Sequence, residues 1–163
     1  EIQGTETDTV SGLTWLEGRT VSVLADGSVE RQKVVTNGAL TLDHAAKDVI
    51  VGIPYESDLE TLPVVAEMAN NAASHGRRKA LVEVWLRLFE SSGVWVGPDY
   101  DSLVELKQRT TEPMGSPPKE ITGQVGLKTQ GKWTDDGQIC VRQSDPLPLT
   151  IVGLTAEIRI EGE

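Results

Sequence analysis

Across residues 79–90 apolar side chains take the even positions from 80 to 88, Ala80, Val82, Val84, Leu86 and Leu88, while Glu83 and Arg87 fall on odd ones. Five consecutive matches to a period of two describe a half-buried β-strand with one core face and one solvent face. A helix would also gather Leu81, Val84, Trp85 and Leu88. The Val and Trp content and the Ser91-Ser92-Gly93 turn that follows favour the strand.

Other strands arrive at short, regular spacing. Thr20-Val21-Ser22-Val23-Leu24 alternates, Ala25-Asp26-Gly27-Ser28 turns, and Val29 starts the return, which predicts a β-hairpin. A second turn, Asn37-Gly38, separates Lys33-Val34-Val35 from Ala39-Leu40-Thr41-Leu42. Residues 48–55 read as a β-branched strand ending near Pro54. Val94-Trp95-Val96 reads as the hairpin partner of residues 79–90, and 103–107, 120–127, 139–143 and 149–160 as further strands. Three prolines forbid a helix across residues 113–118. The expected fold is all-β, an antiparallel β-sandwich or barrel with at most one short helix. That helix, if present, lies in 61–76, where Pro63 suits a first helical position, Gly76 a C-cap, and Val64, Val65, Met68 and Ala72 one face; the Ala- and Asn-rich centre equally suits a loop.

Residues 1–12 are rich in Thr, Asp, Glu and Gly and suggest a linker or extended arm, with a single β domain over 13–163. At 163 residues one domain would bury roughly 70% of its unfolded surface and needs no metal or disulfide to fold. The chain opens Glu1-Ile2-Gln3-Gly4 without a methionine, so a fragment of a larger protein is expected. No stretch has the apolar length of a membrane span, and the first thirty residues lack a signal-peptide pattern. The net charge of −10 opposes specific nucleic-acid binding, which needs clustered Lys and Arg.

Chemistry-bearing residues are sparse. His44 and His75 lie far apart in sequence and Cys140 is the sole cysteine, so neither a metal site nor a disulfide is expected. Ser74-His75 is no nucleophile elbow. Asp99 with Asp101, and Asp135 with Asp136, have the residue type of a glycosidase pair but stand beside Gly or Pro as turn formers do. Glu56, Asp26 and Asp58 form no calcium loop. Arg77-Arg78-Lys79 reads as a solvated strand edge. Trp15, Trp85, Trp95 and Trp133 offer a possible sugar-stacking platform, with core packing expected of Trp85 and exposure of Trp95 or Trp133. No catalytic residue, cofactor or metal is therefore assigned; a carbohydrate- or receptor-binding module is the alternative to a structural role.

Four phrases carry a family resemblance. They are Gly12-Leu13-Thr14-Trp15-Leu16-Glu17-Gly18 with Val21-Ser22-Val23-Leu24-Ala25-Asp26-Gly27; Val51-Gly52-Ile53-Pro54-Tyr55-Glu56-Ser57-Asp58-Leu59-Glu60-Thr61-Leu62; Arg109-Thr110-Thr111-Glu112-Pro113-Met114-Gly115-Ser116-Pro117-Pro118; and Arg142-Gln143-Ser144-Asp145-Pro146-Leu147-Pro148-Leu149-Thr150. Together, in this order, they resemble the C-terminal part of the tail nozzle proteins of short-tailed phages, the tail tubular protein B-like virion proteins. The resemblance implies a non-enzymatic virion subunit, synthesised in the bacterial host cytoplasm and placed in the tail. It also implies a hexameric ring with other virion tail proteins as partners; nozzle, hub and adaptor roles stay open, and the lack of an apolar span already argues for no membrane insertion. An acidic wall suits a conduit, since DNA slides past it where a basic wall would grip.

Overall fold

In the computed structural model, which describes residues 2–65, 74, 76–109, 111–113 and 115–162, strands pair only antiparallel and no sheet closes into a barrel. The protein is all-β. The one helical element among the described residues is a 3-10 turn, Thr14–Leu16. Most of 61–76, including Met68, Ala72 and His75, lies outside the described residues. The chain forms two compact units, where the sequence suggests one domain: Glu1–Glu56 with Gln108–Glu120 and Ser144–Pro148, and Ser57–Lys107 with Ile121–Gln143 and Leu149–Glu163.

The first unit holds β1 (Ile2–Ser11), β2 (Thr20–Ala25), β3 (Ser28–Val34) and β4 (Ala39–Gly52), in the order β1-β4-β2-β3. The stretch read as a linker or extended arm is extended and holds β1, which pairs with β4 from Ile2 opposite Val49 to Ser11 opposite Ala39. Its alternating threonines are β-branched and suit a sheet edge, and Val10 enters the core. The β2–β3 hairpin forms as expected, on left-handed Asp26 (φ 47°) and Gly27 (φ 77°). Asn37-Gly38 also turns, but its flanks join only at Thr36 and Ala39, because β2 lies between β3 and β4. Glu17 fixes that turn instead, its carboxylate accepting from the amides of Asn37 (2.9 Å) and Gly38 (2.6 Å). The core gathers Val10, Leu16, Val21, Val23, Val35 and Val49.

The second unit holds β5 (Ser57–Glu60), β6 (Lys79–Ser91), β7 (Trp95–Gly97), β8 (Val104–Glu105), β9 (Ile121–Lys128), β10 (Trp133–Thr134), β11 (Cys140–Gln143) and β12 (Ile151–Ile160). One sheet centres on β6, with β12 on one side and β9 and β10 on the other; the second runs β5-β11-β7-β8. Leu81, Val84, Leu86 and Leu88 share a core with Val94, Val96, Ile139 and Val141, so two sheets face one another across it as in a sandwich. β7 pairs with β11 and β8, not with β6 as a hairpin arm. Side chains tie down the passage between sheets: Ser91 Oγ donates to the Thr150 carbonyl (3.1 Å) and Gln143 Nε2 to that of Ser92 (2.9 Å).

β6 departs from strict alternation at one point. Glu157 faces Glu83 while Ile158 faces Leu81, so Val82 is an extra residue and the sides exchange there. Leu81 and Lys79 therefore point inward with Val84, Leu86 and Leu88. Trp85 lies on the opposite, solvent-facing side, which corrects its expected place in the core.

Candidate functional site

The residues singled out for chemistry take structural posts. Among the described residues no group of three His, Cys, Asp or Glu side chains is placed to hold a metal ion, and no helix is long and apolar enough to cross a membrane. Asp99 pairs with Lys132 (2.7 Å) and accepts the Asp101 amide (3.1 Å), which closes the turn after β7. Asp58 holds Arg142 through two bonds of 2.7 and 2.8 Å, with the guanidinium 4.7 Å from the centre of the Tyr100 ring. The exposed Asp135 pairs loosely with Arg78 (3.8 Å), and the Asp136 carbonyl accepts the Val64 amide. Glu56 is exposed. Lys79 is not a solvated edge residue: it is 3% exposed, its Nζ donating to the carbonyls of Asp135 (2.9 Å) and Arg77 (3.2 Å).

Cys140 is 3% exposed, and burial pushes its thiol up to about 11, with nearby Glu60 adding to the effect. Thiolate is the reactive form. Native protein at pH 8 is expected to resist a disulfide reagent that labels it at once in denaturant; equal rates would contradict this burial.

Three carboxyls sit below the ordinary range because a cation is bonded to each: Lys33 at Asp43, Arg142 at Asp58 and Lys132 at Asp99. A depressed folded pKa gives stability that is present above the unfolded value, near 3.8, and is lost as pH falls through the folded value. Thermal melts should therefore lose stability below about pH 4. Changing all three to asparagine should flatten that acid limb, and an unchanged limb would place it elsewhere.

In the first unit a cavity of about 290 Å³ is lined by Asp26, Glu30, Arg31, Asp43, His44 and Arg109, among others. Its carboxylates serve the backbone. Asp26 accepts from the amides of Lys47 (3.1 Å) and Asp48 (2.8 Å), and Glu30 from those of Asp43 (3.0 Å) and His44 (3.4 Å). Lys33 binds Glu30 and Asp43 at 3.0 and 2.8 Å and donates to the Thr41 carbonyl. The Glu30 and Lys33 bonds satisfy β4 where its pairing with β1 skips from Thr41 to Ala46, and those of Asp26 continue the β2–β4 pairing beyond Ala25 and Val49. Nothing in the sequence around Glu30 marks it for that task.

In the second unit the register places four rows on the open side of the β6 sheet: Trp133-Ala80-Arg159, Lys128-Glu83-Glu157, Gly126-Trp85-Thr155 and Gln124-Arg87-Gly153. Trp133 is 42% exposed and Trp85 half-buried. A Cβ on Gly126 would stand 3.1 Å from Cδ1 and Nε1 of Trp85, so the bare glycine makes room for the indole. Trp15 is well exposed on its 3-10 turn and Trp95 half-buried on β7.

Fold and surfaces together define a two-unit antiparallel β protein with a polar cavity in one unit and a tryptophan-bearing open sheet in the other. No protein-family model matches the chain, and no curated protein matches its sequence.

Proposed function

We propose that this chain is a non-enzymatic structural domain of a phage tail, a subunit of the nozzle through which the genome leaves the capsid. It works in a ring of six with other virion tail proteins as neighbours. The observation that supports the reading most is the state of the phrase over residues 51–62. Ile53 and Tyr55 of the first unit are exposed, as are Leu59 and Leu62 of the second. Within it β5 is an edge strand exposed at all four positions. A bare edge strand with an exposed apolar side chain, here Leu59, invites pairing with another chain, and a neighbouring subunit is what would cover β5. The surplus of 25 acidic over 15 basic residues suits a wall past which DNA slides.

Light scattering on the full-length tail protein that this reading implies, beside the same measurement on this chain, tests it. A sixfold mass is expected for the former, reduced when Leu59→Glu and Leu62→Glu are combined. A full-length protein that stays monomeric at high concentration would defeat the proposal. Duplex DNA should not be retarded by the chain even at low salt, where phosphate contacts are strongest.

A further inference from the structure

We infer that the open side of the β6 sheet binds an acidic polysaccharide, with Trp85 and Trp133 stacking on sugar rings and Arg87 and Arg159 pairing with uronate carboxylates. The inference is independent of the conduit reading. Both indoles lie on one face of one sheet, brought there by pairing through Ala80 and Gly126. Five residues of strand separate their rows, about 16 Å at most given the strand rise. An indole offers an apolar face to the C–H side of a pyranose, and its N–H can serve a hydroxyl.

Each indole has a guanidinium at hand. Arg159 shares the Trp133 row, and Arg87 is two residues along β6 from Trp85 on the same side. A guanidinium fork matches a carboxylate bidentately, which selects an acidic sugar over a neutral one. Arg87, Lys128 and Arg159 make no ion pair with any described residue. In a chain of net charge −10, this face sets those three cations against Glu83, Glu157 and the Glu161 of the groove at the Trp133 end, a local balance of charge. An anionic chain therefore meets less repulsion here than over the acidic protein as a whole, and complementarity comes from the two guanidinium forks that lack an ion-pair partner among the described residues. At the Trp133 end the surface is concave: a groove of about 380 Å³ is lined by Trp133, Ile158, Arg159, Ile160, Glu161 and Gly162. Between the two indole rows stands the row Lys128-Glu83-Glu157, while Gly126, Thr155 and Gly153 keep the surface low beside and beyond Trp85.

Affinity electrophoresis of this chain in gels containing polygalacturonate, dextran or inorganic polyphosphate tests the proposal, with tryptophan fluorescence titration by oligogalacturonate giving affinities. Polygalacturonate should retard the protein and dextran should not. Trp133→Ala and Trp85→Ala should each weaken binding at least fivefold, Arg159→Gln and Arg87→Gln likewise, and Trp15→Ala should leave it unchanged. Trp133 and Arg159 are exposed, so those two variants remain readable even if Trp85→Ala fails to fold. No retardation by polygalacturonate, equal retardation by dextran, or retardation by polyphosphate that is indifferent to both tryptophans would each overturn the assignment. The ring test above does not read this surface, so either proposal can fail alone.

Discussion

Leu86→Ala is expected to cost about 3 kcal/mol, while Trp85→Ala, which removes a far larger side chain one residue earlier, costs about 1 kcal/mol or less. Leu86 is fully buried between the two sheets of the second unit, packed with Val84, Leu88, Val96 and Val141. Truncating it removes its transfer free energy and leaves a cavity that dense surroundings fill only in part. Trp85 faces the other way, against Gly126 and water, so its loss opens a surface rather than a void. Urea or thermal unfolding of the two variants reads the difference directly, at roughly 2–4 °C per kcal/mol for a chain of this size. If Trp85→Ala proved the more damaging, the sidedness of β6 described above would be wrong.

That contrast also marks what the sequence can and cannot convey. Period two in residues 79–90 announces a strand, and the turns at Asp26-Gly27 and Asn37-Gly38 announce themselves through left-handed backbone that Gly and Asn tolerate. The strands expected over 120–127, 139–143 and 149–160 stand at Ile121–Lys128, Cys140–Gln143 and Ile151–Ile160. Partners are another matter. Val94-Trp95-Val96 follows β6 through a plausible hairpin turn, yet β7 pairs with β11, because the short Ser91-Ser92 passage is held by Thr150 and Gln143 from far along the chain. Local turn chemistry carries no information about those distant bonds. β1 escapes notice for a different reason: only Ile2 and Val10 are apolar, and its edge position asks for little burial beyond Val10.

The candidate surface was legible only in its parts. Four tryptophans and a run of basic residues stand out in the sequence, but Trp85 and Trp133 share a face only because β10 and β9 dock along one edge of β6, and Arg159 joins them from the other edge. The bulge at Val82 decides which side Ala80 and its row occupy, and one extra residue in a strand has no signature in composition. Lys79 shows the converse error. A basic residue in a basic run reads as solvated, but here two backbone carbonyls replace water around the ammonium and allow it to be buried.

Gly97→Ala is expected to destabilise the second unit by about 3 kcal/mol or more, against a change within about 0.5 kcal/mol for Gly52→Ala. The reason is steric rather than conformational. A Cβ on Gly97 would press against the Ser102 carbonyl oxygen and lie 2.9 Å from its carbon and 3.0 Å from Leu103 Cα, all backbone atoms that no rotamer change can move. A Cβ on Gly52 meets nothing within 4 Å. Relief at Gly97 requires shifting the turn after β7, and that turn carries Asp99, bound to Lys132, and Tyr100, beneath Arg142. Loss of stability should therefore come with loss of both contacts. Adding Asp99→Asn to Gly97→Ala should then cost less than it does in the native background, since the Lys132 bond would already be strained or broken. Strict additivity in such a double-mutant cycle would mean that the backbone gives way elsewhere and leaves the turn in place.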